Sequence, residues 1–210
     1  MRQIWIPRTG APEVLELRQA SDPEPGPGQI RVRVAAAGVN FADILARMGL
    51  YPDAPPLPAV VGYEVAGTVD AVGAGVGDVA PGSRVAALVH FGGYSDTMLV
   101  PAAQAIPLPA DLSFEKAAAI PVNYVTAWIM LVHLANVQAG QRVLVHAAAG
   151  GVGQAALQIC RWRGAEVIGT ASASKHERLR AAGVAHAIDY TREPVAGAGP
   201  IDRATKSLQR

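Results

Sequence analysis

A run of small residues, Ala147, Ala148, Ala149, Gly150, Gly151, Val152 and Gly153, is the stretch of this sequence best suited to chemistry. A dinucleotide diphosphate needs bare backbone N–H groups close to it and the positive end of a helix dipole beneath it. Ala148, Gly150 and Gly153 hold the first, second and third places of a G-x-G-x-x-G pattern, with Ala149, Gly151 and Val152 between them. An ordinary tight turn uses the same residue types, so the neighbours decide. Residues 142–146, Arg-Val-Leu-Val-His, read as a buried strand. Over 151–163, Val152, Ala155, Ala156, Ile159, Cys160 and Trp162 recur at mostly helical spacing. A strand before the turn and an amphipathic helix after it favour the nucleotide over the plain turn.

The alternation continues. A strand over 165–169, a helix over 174–182 and a strand over 186–189 complete a βαβαβ half of a doubly wound parallel sheet. An NAD site usually carries an acid about twenty residues past the glycines, bonding the ribose 2′-OH. Here Thr170, Ala171, Ser172, Ala173, Ser174 and Lys175 follow the second strand without a carboxylate. Ser172 and Lys175 suit a 2′-phosphate, and NADPH is therefore preferred. The alternative for Ser174 and Lys175 is a helix N-cap and a solvated helix charge.

The chain of 210 residues can bury a real core, and 50% hydrophobic against 17% charged residues makes it globular rather than disordered. A formal net charge of +1 gives no reason to expect nucleic acid or a polybasic membrane contact. One cysteine, Cys160, excludes an internal disulfide and fits a reducing, cytoplasmic setting. On the inner face of its helix it reads as a packed thiol. The N-terminus lacks an apolar core of signal-peptide type. Residues 117–141 carry no formal charge, but Pro121, Asn123 and His133 interrupt the run. A buried helix explains it better than a membrane span.

Residues before this region read as short strands joined by Gly/Pro loops. Residues 30–35 alternate apolar and charged, 65–72 and 84–89 are further strands, and 41–48 form a short helix ended by Gly49. This pattern predicts a compact, barrel-like β domain. Helices follow over 114–119 and 122–134. The expected domains are 1–120 and 121–210.

Four motifs, AGVNFAD at 37–43, GLYP at 49–52, GYEVAG at 62–67 and HAAAGGVG at 146–153, resemble the zinc-independent quinone oxidoreductases of the medium-chain dehydrogenase/reductase superfamily. AIPVNYVTAW at 119–128 is similar to the VAT-1-like branch. The resemblance covers residues 1 to about 190. It implies an α/β protein in which a GroES-like β-rich domain packs on a Rossmann domain, with substrate and nicotinamide between them. It also implies NADPH-dependent reduction of quinones or α,β-unsaturated carbonyls. Asn40 and Tyr51 would line the cleft, Asn40 near the nicotinamide ribose or the substrate oxygen. Thr126 would lie beside the nicotinamide and Tyr190 beside the 2′-phosphate.

From the residues alone, Asn40 also suits a helix N-cap and Tyr51 also suits loop packing. Glu64 reads best as half of a buried salt bridge. Where zinc-dependent relatives place Cys and His ligands, this chain has Asn40 and Tyr63, with Val122 near the third position. His90, His133, His146, His176 and His186 are scattered, so no metal site is expected.

After Tyr190 no further apolar strand is expected, which makes the Rossmann half incomplete and leaves strand 142–146 an exposed edge. The chain thus reads as a C-terminally truncated reductase. A homodimer through that edge is one consequence. A weakly active or inactive fold serving as a binding or pairing module is the alternative function.

Overall fold

The computed structural model describes residues 1–192 and divides the chain into two compact units, Met1–Val122 and the residues from Asn123 on. In the first unit a five-stranded antiparallel sheet has the order β6-β3-β4-β5-β7. Its strands are β3 (Gln29–Ala37), β4 (Glu64–Val72), β5 (Arg84–Leu88), β6 (Thr97–Pro101) and β7 (Ala105–Pro107). A separate hairpin pairs β1 (Arg2–Trp5) with β2 (Glu16–Gln19). The alternation in β3 does what its sequence dictates. Ile30 and Val32 are fully buried among Val65, Val69, Val85 and Val100. On the other face, Arg31 and Arg33 grip Asp70 of β4 at 2.8 and 2.6 Å. Register shifts after Arg31 and Val34 curl the pair.

Helix α1 (Phe41–Met48) starts at Asn40 and stops at Gly49, which adopts the left-handed conformation that suits glycine. Helix α2 (Phe114–Ala118) follows, then α3 (Pro121–Trp128). The helix expected over 122–134 ends its α-helical part at Trp128. Ile129–Leu134 is a π-helix, because the carbonyl ladder is one residue wider there. By length and composition Phe114–Leu134 is apolar enough to cross a membrane. Only 28% of its apolar window is buried, with Val125, Trp128, Ile129 and Leu134 exposed.

The second unit is built on a parallel sheet of order β10-β9-β8, formed by β8 (Arg142–Val145), β9 (Glu166–Thr170) and β10 (His186–Ile188). Among the described residues β8 pairs on one side only, while its Val143, Leu144 and Val145 are buried. The 13-residue helix α4 (Gly151–Arg163) buries Ala155, Ala156, Leu157, Ile159 and Cys160 against the sheet. Trp162, expected on that face, is instead 63% exposed and stacks on Trp128 at 5.4 Å. Two residues past Cys160, it has turned about 200° around the helix from that residue. The helix expected over 174–182 begins as a 3-10 turn, Ala173–Lys175, before α5 (His176–Ala181). The absence of a further strand was expected mainly of residues 193–210, which lie outside the described residues.

Candidate active site

The turn between β8 and α4 sits at the carboxyl ends of the parallel strands, where open α/β sheets bind ligands. Thr170, buried at the end of β9, holds it in place. The Ala148 N–H donates to the Thr170 carbonyl (3.0 Å) and the Ala147 N–H to Thr170 Oγ1 (3.2 Å). Ala147 adopts a φ of +50°, and Gly150 N–H closes the turn onto the Ala147 carbonyl at 2.8 Å. Gln154 Nε2 ties the Ala148 carbonyl from α4 (2.9 Å). Helical bonding begins with Gln154 N–H to Gly150, so the N–H groups of Gly151, Val152 and Gly153 have no helical acceptor.

Each small residue has a separate reason. Ala148 is fully buried, its methyl against Gly169 of β9. A Cβ on Gly153 would stand 2.6 Å from the Ala147 oxygen and 2.7 Å from Ala148 backbone atoms. A Cβ on Gly151 would stand 2.5 Å from Oδ1 of Asn123 in α3. Gly150 is exposed and Ala149 half-buried. Val152 packs its side chain on the core and offers only its backbone. Apart from the Asn123 side chain against Gly151, the turn presents backbone, whose N–H groups suit a diphosphate. Asn123, which sequence reasoning used only as an interruption of an apolar run, is the residue that demands glycine at 151. Its pairing with α4 is a long-range contact that no local pattern signals.

Ser172, half-buried, begins the 3-10 turn, and Ser174 lies inside that turn rather than at its cap. Lys175 is exposed. Tyr190, just past β10, is 58% exposed. Strand pairing of Ile188 with Thr170 brings the β10 end beside the β9 end. The buried Asp189 there is occupied by the Thr191 hydroxyl (2.7 Å) and N–H (3.0 Å), which hold its carboxyl below the usual range. Thr126 is half-buried on α3.

In the first unit Asn40 stands at the N-cap of α1 in a capping box, its side chain facing the Asp43 N–H and the Asp43 carboxylate facing the Asn40 N–H. Asn40 Nδ2 also donates to Glu64 Oε1 at 2.9 Å. Glu64 Oε2 accepts the Val122 N–H, in the first turn of α3, at 2.8 Å. No cation reaches Glu64 among the described residues, so the expected salt bridge is replaced by neutral donors and a helix N-terminus. Asp43, also buried, accepts the Asn40 N–H (2.8 Å), the Tyr94 hydroxyl (2.9 Å) and the Gly62 N–H (3.2 Å). Burial pushes both carboxyls above their ordinary values, against the pull of these donors. Tyr51 is half-buried, packs with Ile6, Ala46 and Val61, and meets Tyr63 edge-on at 6.3 Å. The Tyr63 hydroxyl is buried without a hydrogen-bond partner, and burial, then Tyr51, push it up to about 12. It remains a neutral donor. No group of three His, Cys, Asp or Glu among the described residues is arranged to hold a metal ion.

The alcohol dehydrogenase GroES-like domain family matches residues 26–110. Over 177 residues the chain is 52% identical to the synaptic vesicle membrane protein VAT-1 homolog of Mus musculus, covering 84% of this chain and 44% of that protein. The Escherichia coli quinone oxidoreductase complexed with NADPH superposes with a TM-score of 0.86 at 37% identity, over 93% of this chain and 60% of that one. The chain belongs to the medium-chain dehydrogenase/reductase superfamily. Within that superfamily it is similar to quinone oxidoreductases and VAT-1 homologues. It is also similar to the CurK enoyl reductase, with a TM-score of 0.86, 36% identity, and 91% of this chain and 60% of that one covered. This superfamily member spans about half the length of the curated relatives it matches.

Proposed function

We propose that this chain carries the front half of an NADPH-dependent reductase of quinones or other α,β-unsaturated carbonyls that works without zinc. The observation that carries the reading is the turn at 147–153, where bare backbone and N–H groups without helical acceptors meet at the strand ends. Similarity to a quinone oxidoreductase complexed with NADPH supports it. Gly150, Gly151, Val152 and Gly153 would bind the diphosphate through backbone, with Ala148, Ala149 and Thr170 shaping the turn. Ser172, Lys175 and Tyr190 would receive the 2′-phosphate. Asp189, an acid at those strand ends among the described residues, is held ionised by its Thr191 donors, with Arg192 Nε 3.8 Å from its Oδ2, and its charge counts against a 2′-phosphate placed beside it.

Bound NADPH would supply the reducing hydride. A conjugated acceptor spreads the charge that develops on its oxygen, so hydrogen-bond donors can take the part a metal plays for simple ketones. Asn40 and Tyr51 on the first unit are the residues proposed to contact nicotinamide or substrate, and Thr126 to lie beside the nicotinamide. The domain roles follow: residues 1–120 for substrate, residues from 121 on for cofactor. A cytoplasmic setting accords with the reduced, buried thiol of Cys160. The test is NADPH binding by fluorescence, followed by turnover with a quinone and an enone. Binding without turnover would support the cofactor site and count against catalysis by this chain alone.

A second reading is favoured by the one-sided pairing of β8 among the described residues: a reductase-fold module that pairs through this edge, including as a homodimer. Size-exclusion chromatography separates the two, because a monomer at all concentrations counts against pairing.

A further inference from the structure

Helices α3 and α4 meet at their outer sides in a stack of two exposed indoles, Trp128 on Trp162, with ring centres 5.4 Å apart. Val125 and Trp128 of α3, and Ile129 at the start of the π-helix, stand three and four residues apart and share one exposed side. Leu134, at the end of the π-helix, is exposed as well. The opposite side is committed to the fold, since Ala127 and Leu131 are buried with Ala155, Ala156 and Ile159 of α4. This segment cannot leave that core to cross a membrane without dismantling the unit.

Charge around this face has one sign. No Asp or Glu occurs between Glu115 and Glu166, whereas Lys116, Arg142, Arg161 and Arg163 lie in that stretch. Arg161 is exposed in the last turn of α4. Arg163 sits 5.5 Å from the centre of the Trp162 ring. Among the described residues it bonds only to neutral oxygens, the Val137 carbonyl (2.9 Å) and Asn136 Oδ1 (3.4 Å), so its positive charge is not cancelled. Arginine beside indole at the rim of an aliphatic strip suits a bilayer surface. The apolar groups enter the acyl boundary, the indoles stay at headgroup level and the cations meet anionic phosphates. A second copy of the same face would bring its arginines against these, which counts against self-pairing.

We propose that the face formed by Val125, Trp128, Ile129, Leu134 and Trp162, with Arg161 and Arg163 at its edge, docks this chain on an anionic lipid surface. The chain lies on the bilayer and does not span it. This docking is independent of the cofactor reading.

The test is co-sedimentation of the chain with phosphatidylcholine vesicles, with and without phosphatidylglycerol, at low and high salt. The variants are W128S/W162S, R161Q, and F41S, which removes an exposed ring from the first unit. We expect wild type to bind the anionic vesicles and salt to weaken that binding. W128S/W162S should bind at least about tenfold more weakly. R161Q should bind about fivefold more weakly on anionic vesicles only, and F41S should bind as wild type does. The sequence holds three tryptophans, so W128S/W162S retains Trp5 alone. Anionic vesicles should shift wild-type emission to the blue and leave the emission of that variant unmoved. Binding that is absent, equal on neutral vesicles, indifferent to both tryptophans, or lowered as much by F41S would overturn the proposal. A blue shift that grows with protein concentration in the absence of vesicles would also overturn it, because a second copy then covers the face. If W128S/W162S does not fold, wild-type emission decides: no blue shift on anionic vesicles contradicts the proposal.

Discussion

Alanine placed at two glycines three residues apart separates the two duties of the turn. At Gly153 a methyl would lie 2.6 Å from the Ala147 oxygen, about 0.8 Å inside ordinary contact, and its other neighbours are Ala148 backbone atoms that no rotamer change can move. Overpacking of this kind costs about 1–3 kcal/mol, offset by up to about 1 kcal/mol from replacing a helical glycine. The net loss, about 1–2 kcal/mol, should lower the melting temperature by about 5 °C. At Gly150 the methyl would lie 3.2 Å from the Ala147 oxygen, with φ −80° and ψ 176°, which alanine adopts without strain. Stability should change by less than about 0.5 kcal/mol. That methyl, however, would stand beside the N–H groups proposed for the diphosphate, and NADPH binding should fall at least about tenfold. Thermal melts and fluorescence titrations of G150A and G153A give both numbers. If G150A binds NADPH as wild type does, the diphosphate does not lie on this turn. If G153A melts with wild type, the close backbone approach is not there.

Other outcomes follow from the same geometry. Ala147→Gly relieves a left-handed residue (φ +50°) and should raise stability by up to about 1 kcal/mol; a lower melting temperature would contradict this. Burial raises the Cys160 thiol to about 11, so it should resist thiol reagents in the native state and react once unfolded. Rapid labelling of folded protein would refute the packing. Burial raises Asp70, but Arg31 and Arg33 outweigh it and hold its carboxyl below the usual range. Its contribution is therefore present above the unfolded carboxyl value and lost as pH falls through the lowered one. Asp70→Asn should lower stability at neutral pH and flatten the acid limb of the pH profile, and a parallel profile would refute the pairing.

Local signals carried the parts of this fold that are locally determined. Phe41–Met48 and Gly151–Arg163 have caps and periodicity that leave few other choices. The glycine turn was legible because a strand and a helix bracket it. The α/β class and the superfamily followed from motifs in order. What the chain could not announce are contacts across long sequence separations. The Asn40 side chain read as a cap, which the capping box with Asp43 bears out, but its further bond to Glu64, 24 residues on, has no local signal. Glu64 itself takes a backbone N–H 58 residues away, where a salt bridge was the expected satisfaction for a buried acid. The π-helix at Ile129–Leu134 is invisible in a uniformly apolar run, since its widened ladder changes backbone bonding and not composition.

The central claim is that the turn after β8 binds a dinucleotide diphosphate, and fluorescence titration of the chain with NADPH, with NADH alongside, tests it most directly. Saturable binding that is tighter for NADPH than for NADH is the predicted result. No saturable response to either cofactor at millimolar concentration would contradict it.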